Sequence, residues 1–346
     1  MDHLLDTKPC PARIAVIGSG YWGKNLVRNL AQLDALECIC DANPTALRAQ
    51  GALYPNVRLE TQFENVLSDN DIQGVMIATP AALHYSHVKQ AILSGKDVFV
   101  EKPLALRLNE GVELAELASA LGVILMVGHI LEYHPAVALL KTIIQRGELG
   151  KLRYLYSNRL NLGKVRKEEN ILWSFAPHDI SAICSLAGAE PSVVSASGGS
   201  YLQPDIVDVT VTNLIFGDGM RAHIFVSWLH PYKEQKLVVI GEKKMAVLDD
   251  TARDGKLKIF DKGIEWRAGE PIPRQTAETT LFFDDTEPLR LECEHFVECL
   301  QTRKRPLTDS ENGLRVLRVL EAAQISLENG GVPVPMAEVE LRLPTY

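Results

Sequence analysis

The feature that most constrains this chain is the run Arg13-Ile14-Ala15-Val16-Ile17-Gly18, which ends in Gly18-Ser19-Gly20-Tyr21-Trp22-Gly23. A short apolar run closing on glycine reads as a buried parallel strand. The segment that follows, Gly23 to Leu33, carries Leu26, Val27 and Leu30 at helical spacing. In a strand–glycine–helix unit the three glycines serve different ends. Gly18 permits the tight turn, Gly20 lets the backbone approach a pyrophosphate, and Gly23 allows close helix–strand packing. The helix N-terminus then offers N–H groups and partial positive charge to the phosphates. A second strand, Leu36 to Cys40, runs into Asp41, placed to accept from two ribose hydroxyls and to repel a 2′-phosphate. Ala42 and Asn43 follow, with no arginine immediately after the acid, so NAD is expected over NADP. Tyr21 and Trp22, inside the glycine loop, count with the cofactor-binding residues.

The alternation continues. A helix is expected after Pro44, a strand near Val57, a strand at Gly74 to Ala78 and a helix at Leu83 to Leu93. The strand Val98-Phe99-Val100, a helix at Asn109 to Leu121 and a strand at Val123 to Val127 complete a doubly wound parallel sheet. Near Gly150 the pattern changes to alternating stretches: 152–157, 193–201, 207–216, 220–228, 237–240, 246–248 and 257–260. Gly217-Asp218-Gly219 supplies a hairpin turn among them. These predict an open, mostly antiparallel sheet, interrupted by a helix at His178 to Leu186. The expected architecture is α/β: a Rossmann domain over 1–130 and an α+β domain for substrate and oligomerisation over 131–346. The C-terminal helices, near 291–300 and 314–327, are expected to pack back on the first domain.

With 346 residues, two domains are the first expectation. A net charge of −8 argues against a phosphate-tracking nucleic-acid surface. No apolar run has the length to span a membrane, and Met1 to Pro11 lacks the apolar core of a signal peptide. Six cysteines in so long a chain, with Cys38 and Cys40 at a spacing poor for a bridge, fit packed thiols in the reducing cytoplasm.

Two further strand ends carry chemistry. Ala78-Thr79-Pro80, with His84 after it, is placed to line the cofactor crevice, or is simply a helix boundary. Glu101-Lys102-Pro103 follows the strand Val98 to Val100 directly. A lysine there can hydrogen-bond a substrate hydroxyl and stabilise the alkoxide that develops as hydride leaves.

These motifs, with Ser94-Gly95-Lys96-Asp97-Val98 leading into Glu101-Lys102-Pro103, resemble the glucose–fructose oxidoreductase/inositol dehydrogenase (Gfo/Idh/MocA) family, and the resemblance runs through nearly the whole chain. It implies that Lys102 is catalytic and that Glu101 lies near the cofactor's ribose or nicotinamide. It also implies that His178, in Trp173-Ser174-Phe175-Ala176-Pro177-His178-Asp179, is an acid/base histidine at a helix start. Ser174 stands where the family often has an aspartate, four residues before that histidine, and Asp179 is the nearest substitute. Which of Lys102 and His178 is the base stays open.

Asn158, Arg159, Asn161, Lys164 and Arg166 form a polar and basic stretch after a strand, read either as a solvated loop or as a rim for a nucleotide-sugar diphosphate. That stretch and Ile171 to Ser181 resemble family members that oxidise the C3 hydroxyl of UDP-N-acetylglucosamine. A UDP-N-acetyl-hexosaminuronic acid, a free polyol or monosaccharide, and a non-catalytic NAD-binding regulator remain as alternatives. His129, Glu132 and Tyr133 close the Rossmann portion and are expected to face substrate. A metal at His129 and His134 fails on spacing, so no metal is expected. The open sheet needs cover, which predicts a homodimer or homotetramer. An aminotransferase acting on the keto product is the expected pathway partner.

Overall fold

The structure, a computed structural model, describes residues 12–163, 165–167 and 169–341. Lys164, a candidate substrate residue, lies outside the described residues. The chain forms two compact units. One runs to Leu106, resumes over Glu110–Gly128 and adds Leu289–Gly313; the other holds Arg107–Asn109, His129–Pro288 and the residues from Leu314 on.

The first unit alternates strand and helix: β1 (Ile14–Ile17), α1 (Gly23–Gln32), β2 (Leu36–Cys40), α2 (Pro44–Leu53), β3 (Arg58–Glu60) and α3 (Phe63–Leu67). Then come β4 (Gly74–Ile77), α4 (His84–Leu93), β5 (Asp97–Glu101), α5 (Leu108–Leu121) and β6 (Leu125–Gly128). All six strands pair in parallel in the order β3-β2-β1-β4-β5-β6. β1, β4, β5 and β6 are buried throughout, as strands covered on both faces must be. The order reverses between β1 and β4, so the ligand crevice of a doubly wound sheet opens at the carboxyl ends of these two strands. Cys38 and Cys40 on β2 are free and buried, and burial pushes both thiols up, Cys40 to about 12.

The second unit begins with α6 (Pro135–Gln145), β7 (Leu152–Leu160), α7 (Ile171–Ala187), β8 (Val193–Gly199), β9 (Val209–Ile215) and β10 (Arg221–Ser227). It continues through β11 (Glu234–Gly241), β12 (Met245–Asp249), β13 (Leu257–Arg267) and β14 (Glu270–Leu281). α8 (Pro288–Thr302), α9 (Ser310–Glu328), β15 (Val334–Pro335) and α10 (Met336–Leu341) end the described chain. α8 counts with the first unit, whereas most of α9 counts with the second.

Nine strands form one sheet in the order β14-β13-β12-β11-β7-β10-β9-β8-β15. Every pair is antiparallel except β7 with β10, and α7 supplies a helical crossover after β7 of the kind a parallel pair requires. Burial alternates along β9 and β10, the mark of a sheet with one covered face. Between them, Gly219 takes φ +88 and the Asp218 carboxylate accepts from Met220 N–H, which closes the expected hairpin.

The sequence places the helix start at His178, but α7 begins seven residues earlier. The Asn170 side chain caps it by accepting from Trp173 N–H at 3.2 Å, and Pro177 sits inside the helix. Pro177 therefore removes one backbone donor without ending the helix, whose apolar faces are buried on both sides of it. His178 is an interior helix residue.

Candidate functional site

The glycine loop shows what each glycine is for. Gly18 takes φ +89, and a Cβ there would stand 3.0 Å from the Ala78 carbonyl oxygen. A Cβ on Gly23 would lie 1.8 Å from the Gly18 oxygen, so the first turn of α1 can approach the loop only without one. Around Gly20 nothing stands within 4 Å of an added Cβ, which leaves an open approach to the backbone at the N-terminus of α1. That opening is the cradle a pyrophosphate needs, and the residues present fit a dinucleotide there. Tyr21 and Trp22 are the exposed pair of the loop, at 77% and 38%.

Asp41 is tied to this loop. Its Oδ2 accepts from the Ser19 N–H at 2.7 Å and the Ser19 hydroxyl at 3.0 Å, and its Oδ1 accepts from Asn43 N–H at 2.8 Å. The end of β2 and the glycine loop are thus held together by one carboxylate. The motif names the acid; it does not reveal Ser19 as its anchor.

The neighbouring strand ends are pinned by His84. Its Nδ1 lies 2.7 Å from the Pro103 oxygen and its Nε2 2.9 Å from the Thr79 oxygen, with the ring 1% exposed. His84, expected among the cofactor contacts, instead ties the Thr79-Pro80 loop to the Glu101-Lys102-Pro103 loop. Burial, and then the Lys102 charge, lower its pKa. The Thr79 hydroxyl faces His87 Nδ1 at 3.3 Å, and Pro80 precedes a 3-10 turn at Ala81–Leu83 that leads into α4.

Glu101 ends β5 and is 8% exposed. The Trp22 indole N–H donates to its Oε1, so the glycine loop and the Glu101-Lys102 loop meet at this carboxyl. Burial pushes Glu101 up to about 7, against the lowering pull of Trp22 and Lys102. Lys102 is half-buried at the carboxyl end of β5, one residue beyond.

In the second unit the candidate residues divide. Arg159 on β7 donates from Nε to Asp179 on α7 at 2.6 Å, and the Ser157 hydroxyl donates to the same carboxylate. Asp179 is therefore committed to Arg159 and Ser157, which corrects the expectation that it substitutes for the aspartate absent at Ser174. The Arg159 guanidinium is correspondingly engaged in an ion pair rather than held ready at a rim. Asn158, one residue earlier, points to the opposite face of the strand and donates to Glu234 at 2.7 Å. Adjacent strand residues cannot share a face, so Asn158 and Arg159 do not form one contact row. Asn161 N–H continues the ladder to Ser227, while Arg166 lies 3.9 Å from Glu169 and its carbonyl accepts from Gln203.

His129, Glu132 and Tyr133 are all buried, and Glu132 accepts from the Ser181 hydroxyl of α7 at 2.8 Å. Ser174 lies one turn before His178 on α7, which puts both on one side of that helix. Ser157 and Ser181, which sequence reasoning passed over, are the hydroxyls that complete these buried carboxylate clusters. Among the described residues, no group of three or more His, Cys, Asp or Glu side chains is arranged to hold a metal, and no helix is long and apolar enough to cross a membrane.

Comparison with known proteins agrees with the α/β fold. Residues 12–129 match a family model described as an oxidoreductase family with an NAD-binding Rossmann fold. Residues 137–247 match the GFO/IDH/MocA C-terminal domain. A scyllo-inositol 2-dehydrogenase (NAD(+)) of Bacillus subtilis is 30% identical over 94% of this chain and 96% of its own length. A UDP-N-acetylglucosamine 3-dehydrogenase of Acidithiobacillus ferrooxidans is 26% identical over 91% of this chain and 97% of its own. A solved structure of the latter enzyme matches with TM-score 0.80 and 24% identity, over 92% of this chain and 98% of that one, a likeness of fold.

Proposed function

The chain belongs to the GFO/IDH/MocA oxidoreductase family, and from that premise we propose that it is an NAD-dependent dehydrogenase oxidising the C3 hydroxyl of UDP-N-acetylglucosamine. The observation that carries the reading is the meeting at Glu101. The glycine loop reaches this carboxyl through Trp22, so Lys102, the next residue, stands at the nucleotide end of the sheet. The glycine loop and Asp41 would hold NAD, whose nicotinamide would supply the hydride acceptor. Lys102 donates a hydrogen bond to the reacting hydroxyl oxygen and stabilises its growing negative charge. His178 takes the hydroxyl proton, a role an imidazole fills near neutral pH. The two roles are exchangeable, and variants of each separate them.

Asp41 supports NAD over NADP, because its carboxylate would face a 2′-phosphate with like charge. Two observations favour the nucleotide sugar. One is the family relative that acts on it; the other is Ser174, in place of the aspartate that the family often carries one turn before its histidine. A free polyol is the second reading, favoured by the 30% identity to the inositol dehydrogenase. The exposed side of the large sheet, where Tyr156 stacks on His223 with centroids 5.1 Å apart, supports self-association as a homodimer or homotetramer. On this reading the protein works in the cytoplasm, upstream of an aminotransferase that consumes the 3-keto sugar.

The test is NADH formation with UDP-N-acetylglucosamine, the corresponding uronic acid, and scyllo- and myo-inositol side by side. Turnover of UDP-N-acetylglucosamine that falls at least about 100-fold in Lys102→Ala, with NADH affinity kept, is expected. Turnover of inositols alone moves the assignment to the second reading. A Lys102→Ala protein with near-normal turnover removes the catalytic lysine from the account.

A further inference from the structure

Beneath the Glu101-Lys102 loop lies a second carboxyl that the proposed reaction does not use. Glu292 on α8 is 1% exposed, and among the described residues no hydrogen-bond donor reaches either of its oxygens. A carboxylate buried so, without a donor or a cation, is among the costliest arrangements a protein can hold.

The packing of α8 places it. Leu300 Cδ2 and Phe296 Cζ approach Gly74, where a Cβ would stand 3.0 Å and 3.4 Å from them. The Phe296 ring packs edge-on against Phe99 of β5 with centroids 5.9 Å apart. Phe99 and Glu101 lie on one face of β5, and a Cβ on Gly128 of the adjoining β6 would stand 3.0 Å from both Phe99 Cζ and Glu101 Oε2. One helical turn back from Phe296, a step of about 6 Å, is Glu292. Two residues on from Phe99, a step of about 6.6 Å, is Glu101. The helix and strand thus run in opposite directions, with matched steps, and set the two carboxyls against each other.

We propose that Glu292 is a positioning residue for the cofactor site: it shares one proton with Glu101, so the carboxyl pair carries a single negative charge beside Lys102. The protonated Glu292 hydroxyl donates to Glu101, while the Trp22 indole N–H donates to Glu101 from the glycine-loop side. Glu101 is thereby held by a donor on each side, with its remaining charge next to the lysine. No proton leaves the pair in this arrangement. The groups that face it are Lys102 and its backbone N–H at the end of β5, the Trp22 indole before α1, and the side-chain-free Gly128 of β6. Lys102 is the only cation among these. Glu292 is raised well above the carboxylate range, by burial first and the Glu101 charge second, and Glu101 stands at about 7. Two like charges in so dry a site cannot both form at neutral pH. The influence on the cofactor rests on the cofactor-site reading above; the shared proton does not.

Infrared spectroscopy of the full chain in the carboxylic-acid carbonyl region, titrated from about pH 5 to pH 9, tests the shared proton without substrate. The wild-type protein is expected to show a buried carboxylic acid at about pH 9, above the Glu101 titration, that disappears in Glu292→Gln, whose amide can still donate to Glu101. At that pH it is lost as well in Glu292→Met, an apolar replacement of similar volume that guards against a folding failure and removes the donor to Glu101. Deprived of the hydroxyl donor, Glu101 in Glu292→Met then ionises at higher pH. The inflection in NADH affinity against pH therefore moves at least one unit to the alkaline side in that variant, a tenfold change in proton concentration that a merely structural glutamate would not cause. A folded wild type with no protonated carboxyl at about pH 9 overturns the proposal, as does an acid signal that survives there in Glu292→Gln. If the signal behaves as expected but no nucleotide sugar is oxidised, the substrate assignment fails and the carboxyl pair stands.

Discussion

Replacing Gly20 by alanine separates what the glycine loop does for the fold from what it does for the cofactor. An added Cβ meets nothing within 4 Å, and the Gly20 φ lies outside the left-handed region. The folded state therefore accepts the methyl group, and the unfolded chain loses freedom. Stability should hold or rise by about 0.4–1 kcal/mol. The same methyl group fills the space through which a pyrophosphate approaches the backbone. Overpacking of that kind costs about 1–3 kcal/mol, which is roughly 5- to 150-fold in Kd. Gly23→Ala is the contrasting case. Its Cβ would stand 1.8 Å from the Gly18 oxygen and 2.9 Å from the Gly18 carbon, backbone atoms that cannot move aside alone. It should lose roughly 3 kcal/mol of stability or more. Urea denaturation of both variants, with NADH titrated by its fluorescence, reads the two effects separately. A Gly20→Ala protein that binds NADH within twofold of wild type would refute the pyrophosphate cradle. A Gly23→Ala protein as stable as wild type would refute the close packing of α1.

Other expectations follow from buried polar contacts. Arg159→Ala leaves Asp179 buried with only the Ser157 hydroxyl, and should cost about 3–5 kcal/mol in chemical denaturation; a loss below 1 kcal/mol would mean that the pair is solvated. His84 has a folded pKa below its ordinary 6.5, so the unfolded chain binds the extra proton first as pH falls. Its contribution is complete above about 6.5 and is lost on acidification. His84→Gln should therefore flatten the decline of stability below that pH, and an unchanged slope would show that His84 is already charged in the folded protein.

The first unit was legible because its site residues sit at strand ends. Gly18, Asp41 and Lys102 each close an apolar run, and in a doubly wound sheet the carboxyl ends of the strands converge on one crevice. The glycine loop announces itself by local chemistry alone. What binds it does not: Ser19 to Asp41 spans 22 residues, Trp22 to Glu101 spans 79, and neither pairing leaves a trace in sequence. Glu292 shows the same limit. On α8 a glutamate beside the buried Leu289, Cys293 and Phe296 looks like the edge of an apolar stripe, and only packing against β5 reveals it as wholly buried.

In the second unit, the helix is expected from His178, just after Pro177, since proline favours the first turn; it starts instead at Ile171, capped by the Asn170 side chain. The run Asn158 to Asn161 reads as one polar edge, yet the pleat of β7 sends Asn158 and Arg159 to opposite faces. β14 escaped notice because its strand, Glu270–Leu281, is polar and proline-bearing and pairs along the whole of β13, whose second half is largely exposed.

The most direct test of the central claim follows the hydride itself. The protein is incubated with NAD and UDP-N-acetylglucosamine carrying deuterium at C3, and the reduced cofactor is examined by NMR. Deuterium at the nicotinamide C4, together with a 3-keto sugar, is the predicted result. Reduced cofactor without deuterium would contradict oxidation at C3, and no reduced cofactor from this sugar would contradict the substrate.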